Sequence, residues 1–315
     1  MSDPMDMAAA AALLRQGSVL AFPTETVYGL GAVIDHPHAV ARVFELKERP
    51  RFDPLIVHLA DANQLAEVWT HVCERTRRLA ERFWPGPLTL LGPKTDRVAD
   101  LVTAGLSRVA VRVPAHPVAR DLLLRVGAPV AAPSANRFGG ISPTSAEAVR
   151  AEFGDRLPVL DGGPCSVGVE STVLSWTDAE EPVLLRPGGI SVEALTDALG
   201  PIRIPAPDEQ QRLSPGRLAK HYAPRTPVGW NATLPPSPSR GLLAFRAPAP
   251  PGYGATEILS PTGDLNEAAT RLFAALRHLD RAGLEAIAVE PVPEEGLGRA
   301  IMDRLRRAMG KGNEP

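Results

Sequence analysis

Through the first 200 residues, short runs of β-branched and other apolar residues alternate with stretches in which apolar positions recur every three or four residues. The runs SVLAF (18–22), PLIVHLA (54–60), PLTLLG (87–92), RVAVRVP (108–114), APVAAP (128–133), VESTVLSW (169–176) and PVLLRPG (182–188) predict strands. The intervening periodicity predicts helices over 39–47, 74–83, 117–126, 145–153 and 192–199, after a first helix near the N-terminus. Thr144 and Ser145, followed by Glu147, supply a cap for the helix over 145–153. This mixture predicts an α/β fold on a sizeable twisted sheet. Several strands are joined by extended Pro-rich pieces, so no regular doubly wound order follows.

Residues 201–227 lose this periodicity and are rich in proline, which predicts a linker. A plain spacer would be polar and featureless, whereas this one gathers Lys220, His221 and Tyr222. An ordered linker lying across a site is the expectation. After it, GLLAF (241–245), TEILS (256–260) and AIAVE (286–290) predict strands, with helices over 265–281, entered through Gly263 and Asp264, and over 296–309. That order predicts a small parallel, Rossmann-like α/β domain over 228–315, beside a larger domain over 1–200. The charged faces of its helices read as solvated surface.

The composition, 44% apolar and 22% charged in 315 residues, is that of an ordinary globular chain. A net charge of −2 supplies no global basic field for nucleic acid. Lysine stands only at 47, 94, 220 and 311, and a genome bias toward arginine accounts for that. Cys73 and Cys165 form no CxxC pattern, which predicts a reduced, cytoplasmic protein without a disulfide framework. The start carries acidic residues before its apolar run, unlike a signal peptide, and no apolar stretch reaches the ~18 residues of a membrane span. The histidines show no HExxH, and no metal held by protein ligands is expected.

Four segments carry candidate chemistry. FPTETVYGLGA (22–32) packs hydroxyls, a carboxylate, a tyrosine and Gly29 and Gly31 into a turn region. Either it orients a small polar molecule or it is a structural loop capped by its threonines. In KERPRFDPLIVHLA, Lys47 and Arg49 are two apart, so on an extended chain they converge on one anion, unless both are solvated. His58, flanked by apolar residues, reads as a core histidine with satisfied ring nitrogens. Arg112 inside an apolar strand requires an anionic partner, from the protein or from a ligand. Ser134, Asn136 and Ser142 follow another buried strand in a glycine-rich loop, and Arg186 ends a strand, which suggests one anion-binding cleft. With no nucleophile elbow or Ser-His-Asp spacing, chemistry by positioning and charge stabilisation is expected, and a magnesium–nucleotide complex fits it.

Together FPTETVYGLGA, KERPxxxPLIVHLA, FWPGPLTL, VAVRVPxHP, APVAAPSAN, SPT, GVESTV and LLRPGG resemble the YrdC-like family, in this order over the first 200 residues. The linker and the C-terminal part resemble its longer members, the L-threonylcarbamoyladenylate synthases with an added domain. The resemblance implies an open twisted mixed sheet with a concave cavity. It also implies a reaction in which threonine, carboxylated by bicarbonate or carbon dioxide, attacks the α-phosphate of ATP and releases pyrophosphate. Magnesium accompanies ATP, and the product passes to a tRNA threonylcarbamoyl transferase that modifies adenosine beside the anticodon. Carried over by position, Thr26, His58, Arg112, Thr172 and the backbone near Ala132 hold threonine, with Arg112 on its carboxylate. Lys47, Arg49, Asp53, Arg108, Ser134, Ser142 and Arg186 bind ATP, Tyr222 closes over it, and Asn136 and Ser171 are adjacent candidates. Asp53 replaces the Asn usual in the family, and SPGRLAKHYAP departs from the usual linker, so of the linker only Lys220, His221 and Tyr222 transfer.

Two alternatives stand beside this reading. A double-stranded-RNA- or ribosome-binding module could use the same concave surface, though the net charge speaks against it. A carbamoyl-transfer domain of the hydrogenase-maturation type would normally bring zinc-finger and acylphosphatase segments, which this sequence lacks.

Overall fold

A computed structural model of the chain describes residues 5–176, 181–205 and 221–310. Helix α1 (Met7–Arg15) is capped by Asp6, whose carboxylate accepts from Ala9 N at 2.7 Å. Eight strands form the first sheet: β1 (Leu20–Phe22), β2 (Gly29–Val33), β3 (Ile56–His58), β4 (Leu88–Pro93), β5 (Arg108–Arg112), β6 (Val130–Ala131), β7 (Thr172–Trp176) and β8 (Pro182–Arg186). Their order is β1-β2-β6-β3-β5-β4-β7-β8. Of these pairs, β3/β5 and β4/β7 are parallel and the rest antiparallel, so the sheet is mixed and open.

Side chains on a strand alternate between faces, and here the two faces have different neighbours. Val57, Leu90, Val111 and Leu174 join a core with Val40, Val43 and Phe44 of α2 (Pro37–Lys47), Leu79 of the helix Glu74–Phe83, Val149 and Phe153 of the helix Ala146–Phe153, and Leu195 of the helix Val192–Leu199. Their register neighbours Ile56, His58, Leu91, Ala110, Arg112 and Val173 face the other way, onto the cavity described below. Near β1, β2 and β6 a third cluster packs Leu14 of α1 with Leu122 and Val126 of the helix Pro117–Val126. Ser145 caps the helix Ala146–Phe153 by accepting from Ala148 N at 3.2 Å, as the sequence predicts.

Strand β2 departs from the sequence reading, which placed a turn there. Its five residues are all buried, so it lacks the polar alternation of a half-exposed strand. Neither Gly29 nor Gly31 has positive φ. Gly31 instead permits close approach, since a Cβ would lie 2.7 Å from the Phe22 ring. The extended geometry expected for Lys47 and Arg49 also fails: Lys47 ends α2 and Glu48 turns the chain through φ 54°.

The second sheet contains β9 (Val228–Trp230), β10 (Arg240–Ala244), β11 (Ala255–Ile258) and β12 (Ala286–Val289), in the order β11-β10-β12-β9 and parallel throughout. Only β9, three residues long, was not legible in the sequence pattern. Two helices cross it, Leu265–Arg281, capped by Asp264, and Gly298–Met309. Their apolar stripes bury Leu272, Leu276, Ile301 and Leu305 in one cluster with Val27, Ile141 and Val169 of the first unit and with Tyr222. Gly168 lies so close to the first of these helices that a Cβ would fall 2.4 Å from Thr270 Cα. The second unit is therefore docked on the first, over the open face of the large sheet. Among the described residues no helix is long and apolar enough to cross a membrane.

Candidate active site

Strand register assembles one end of the cavity. Parallel pairing of β3 with β5 sets His58 beside Arg112 and Ile56 beside Ala110, and all four line it. Arg112 is 3% exposed. Its Nε donates to Gly86 O at 3.2 Å, Nη1 donates to Thr26 Oγ1 at 2.8 Å, and Nη2 lies 2.6 Å from Glu25 Oε1. The anionic partner that burial of Arg112 demands is thus Glu25 of the protein itself, where the resemblance placed threonine's carboxylate in that role. Burial raises the Glu25 pKa, but the charge and hydrogen bonding of Arg112 outweigh it and hold the carboxyl below its ordinary value of 4.5.

Proton counting fixes the direction of the adjacent hydroxyls. Thr24 Oγ1 donates to Val27 O at 2.6 Å, which uses its one proton. The 2.8 Å contact between the two threonine hydroxyls therefore runs from Thr26 to Thr24. Thr26, already accepting from Arg112, can offer a ligand only a lone pair. His58 Nδ1 is buried without a hydrogen-bond partner among the described residues, contrary to the expectation of a satisfied core histidine. Burial and then Arg112 push its pKa down to about 3, so it is a neutral imidazole at pH 7.

The other end is cationic. Arg49 donates from Nε to Asp53 O at 3.0 Å and from Nη2 to Pro54 O at 2.9 Å, while Nη2 stands 2.7 Å from Asp53 Oδ2. Burial pushes the Asp53 carboxyl up to about 6, although Arg49, Lys47 and Arg186 pull it down. Arg186 is held by Ser171 O, at 3.1 Å from Nε and 2.9 Å from Nη2. Over these groups runs the strap containing His221 and Tyr222. It is pinned by His221 N to Arg307 O at 3.1 Å and by Ala223 N to Gly139 O at 2.9 Å. Tyr222 has φ 60°, a left-handed conformation uncommon for a bulky residue, and its ring meets that of His221 edge-on with centroids 4.1 Å apart. Burial first, then Arg49, Lys47, Arg307 and Arg186, hold the His221 pKa far below its ordinary value, so it too is neutral.

The helix Gly298–Met309 closes this end, which corrects the expectation of a solvated charged face. Arg304 is fully buried, donating to Glu170 Oε2 at 2.8 Å and to Pro187 O at 2.8 Å, with its guanidinium 5.1 Å from the Tyr222 ring centre. Glu170 and Arg307 both line the cavity.

Residues 12–188 match the family model described as Telomere recombination, and residues 190–310 match that of the threonylcarbamoyl-AMP synthase C-terminal domain. The chain is 42% identical to the threonylcarbamoyl-AMP synthase of Bacillus subtilis, over 98% of this chain and 94% of that protein. It is 43% identical to the Pyrococcus abyssi threonylcarbamoyl-AMP synthase, over 96% and 93% of the two chains. The chain belongs to the threonylcarbamoyl-AMP synthase family. The fold agrees: the structure of P. abyssi Sua5 complexed with L-threonine superposes with a TM-score of 0.87, at 40% identity, covering 96% of this chain and 94% of that one.

Of the residues that the family resemblance singled out, Thr26, Arg49, Asp53, His58, Arg112, Ala132, Ser134, Ser171, Arg186 and Tyr222 line the cavity. Five lie outside its lining. Lys47 is buried behind the wall, donating from Nζ to Ser134 O and, at 2.6 Å, to Asn136 O. Burial drives its pKa well below the ordinary value for lysine. Asn136 bonds to Arg137 O and Gly140 O within its own loop. Ser142 donates to Glu170 Oε1. The Thr172 hydroxyl bonds the backbone of Ile190 in both directions, at 2.6 and 2.9 Å. Arg108 binds Trp176 O at 2.7 Å, at the far end of β5 from Arg112. Lys220 lies outside the described residues.

Sequence reasoning passed over Glu25, Glu170, Arg304 and Arg307. Arg304 carried a signal: Ile301, Leu305 and Ala308 share its helix face, so an arginine stands within an apolar stripe. Glu25 and Glu170 carried none beyond their place in the motifs.

Proposed function

We propose that the cavity synthesises threonylcarbamoyl-AMP from L-threonine, bicarbonate or carbon dioxide, and ATP, the first step of threonylcarbamoyladenosine formation in tRNA. The observation that carries this reading is the division of one cavity into two chemically distinct ends. At the first end, Arg112 has Nε on Gly86, Nη1 on Thr26 and Nη2 against Glu25, so two of its roughly five N–H groups stay available for an amino-acid carboxylate. Thr26 offers an acceptor for a substrate amine or hydroxyl, and neutral His58 adds Nδ1, which no group among the described residues satisfies. At the second end, Arg49 and Arg186, with Ser134 and the Tyr222 strap, form a cationic enclosure for phosphates.

In this arrangement the threonine nitrogen forms a bond to the carbon of carbon dioxide and gives up a proton, or to that of bicarbonate, whose C–O bond breaks so that its hydroxyl leaves with the amine proton as water. An oxygen of the resulting carbamate then attacks the α-phosphorus while the bond to pyrophosphate breaks. The protein contributes orientation, exclusion of water and compensation of developing charge. Magnesium fits as part of the nucleotide complex. The wall carboxylates Asp53 and Glu170 are each engaged by an arginine, and among the described residues no group of three His, Cys, Asp or Glu gathers. The product would pass to a tRNA threonylcarbamoyl transferase, in the cytoplasm. Pyrophosphate release is expected to require threonine, bicarbonate and ATP together. Release from ATP alone, or with any amino acid, sinks the proposal.

A further inference from the structure

We propose that Arg307, on the helix Gly298–Met309, is a ligand for the polyphosphate of the nucleotide, so that the C-terminal unit supplies part of the active site. The inference rests on the reading of the cavity as an ATP site. Arg304, with no exposure, anchors this helix to Glu170 and Pro187 O of the first unit. One turn further on, Arg307 reaches the cavity wall and stands with Arg49, Arg186 and the strap. Asp303 accepts from its Nε at 2.9 Å, with both side chains 17% exposed. That contact fixes the plane of the guanidinium, and among the described residues no protein acceptor takes its two terminal nitrogens. Its carbonyl also receives the His221 amide at 3.1 Å, so strap and arginine are set in place together.

Charge identifies the ligand. Among the described residues Arg49, Arg186 and Arg307 line this end of the cavity and all bear on His221, with Arg304 behind them. An anion with several oxygens matches three guanidinium groups on one wall, whereas threonine and bicarbonate each bring one carboxylate. The α-phosphorus must meet the carbamate held at the Arg112 end, so the cation-rich end receives the β- and γ-phosphates. A planar fork held at Nε presents two parallel donors to such oxygens.

The test is calorimetric titration of the full-length wild type, Arg307→Gln, Arg307→Lys and Arg186→Gln with ATP, AMP and threonine. Arg307→Gln is expected to weaken ATP about ten- to a hundredfold while AMP and threonine stay within about twofold, and Arg307→Lys to recover part of the loss. Unchanged ATP affinity in Arg307→Gln, with Arg186→Gln weakened, overturns the inference and leaves the nucleotide reading standing. Parallel loss of all three ligands overturns it too, and makes Arg307 a docking residue. A wild type that binds no ATP removes the nucleotide reading and this inference with it.

Discussion

Replacing Glu25 with Gln keeps the shape of the side chain and removes one charge from a pair that is almost wholly out of water. The side chains of Glu25 and Arg112 are 7% and 4% exposed and stand 2.6 Å apart. Removing one member of a buried pair costs about 3–5 kcal/mol, because the remaining charge is left uncompensated. The amide oxygen can still accept from Nη2, so the expected loss is about 2–4 kcal/mol. In a unit of this size that lowers Tm by roughly 5–12 °C. The pH dependence has a definite sign. Glu25 is held below its ordinary 4.5, so the pair's contribution is complete above that value and fades as pH falls through the depressed folded value. Differential scanning calorimetry from pH 3 to 8 should show wild type and variant far apart at pH 7 and converging in acid. Equal melting at pH 7, or a gap that stays constant down to pH 3, would refute the claim that the charge of Glu25 stabilises this site.

Asp53→Asn should tighten ATP by roughly 1–2 kcal/mol at pH 8, where Asp53 is ionised and repels phosphate. The gap should close below pH 6, as wild-type Asp53 takes up a proton; titrations at pH 5 and pH 8 that show the same ratio would contradict this. Thr172→Val should destabilise by about 1–2 kcal/mol through the lost Ile190 bonds while the KM for threonine stays put, and a raised KM with unchanged Tm would place the hydroxyl on the substrate. Lys47→Met should lower both Tm and ATP affinity, because the carbonyls of Ser134 and Asn136 lose their donor. Lost ATP affinity at full stability would show instead that Lys47 touches the nucleotide.

The sequence by itself determined most of the elements and one strong constraint. Apolar runs fixed seven strands of the large sheet, the capping residues Ser145 and Asp264 marked their helices, and an arginine inside RVAVR required an anion. These are local properties, set by spacing and by the cost of burying an unpaired charge. Which anion answered Arg112 was decided only when a turn 87 residues away in the chain, at Glu25, was brought against β5. Tertiary structure likewise turned Lys47 behind the wall while Arg49 stayed on it, because α2 ends in a left-handed turn between them. It also took Arg304 and Arg307 from a face that looked solvated and placed them at the site. Periodicity describes a helix surface, but whether that surface meets water depends on what docks against it, and docking is a property of the whole chain.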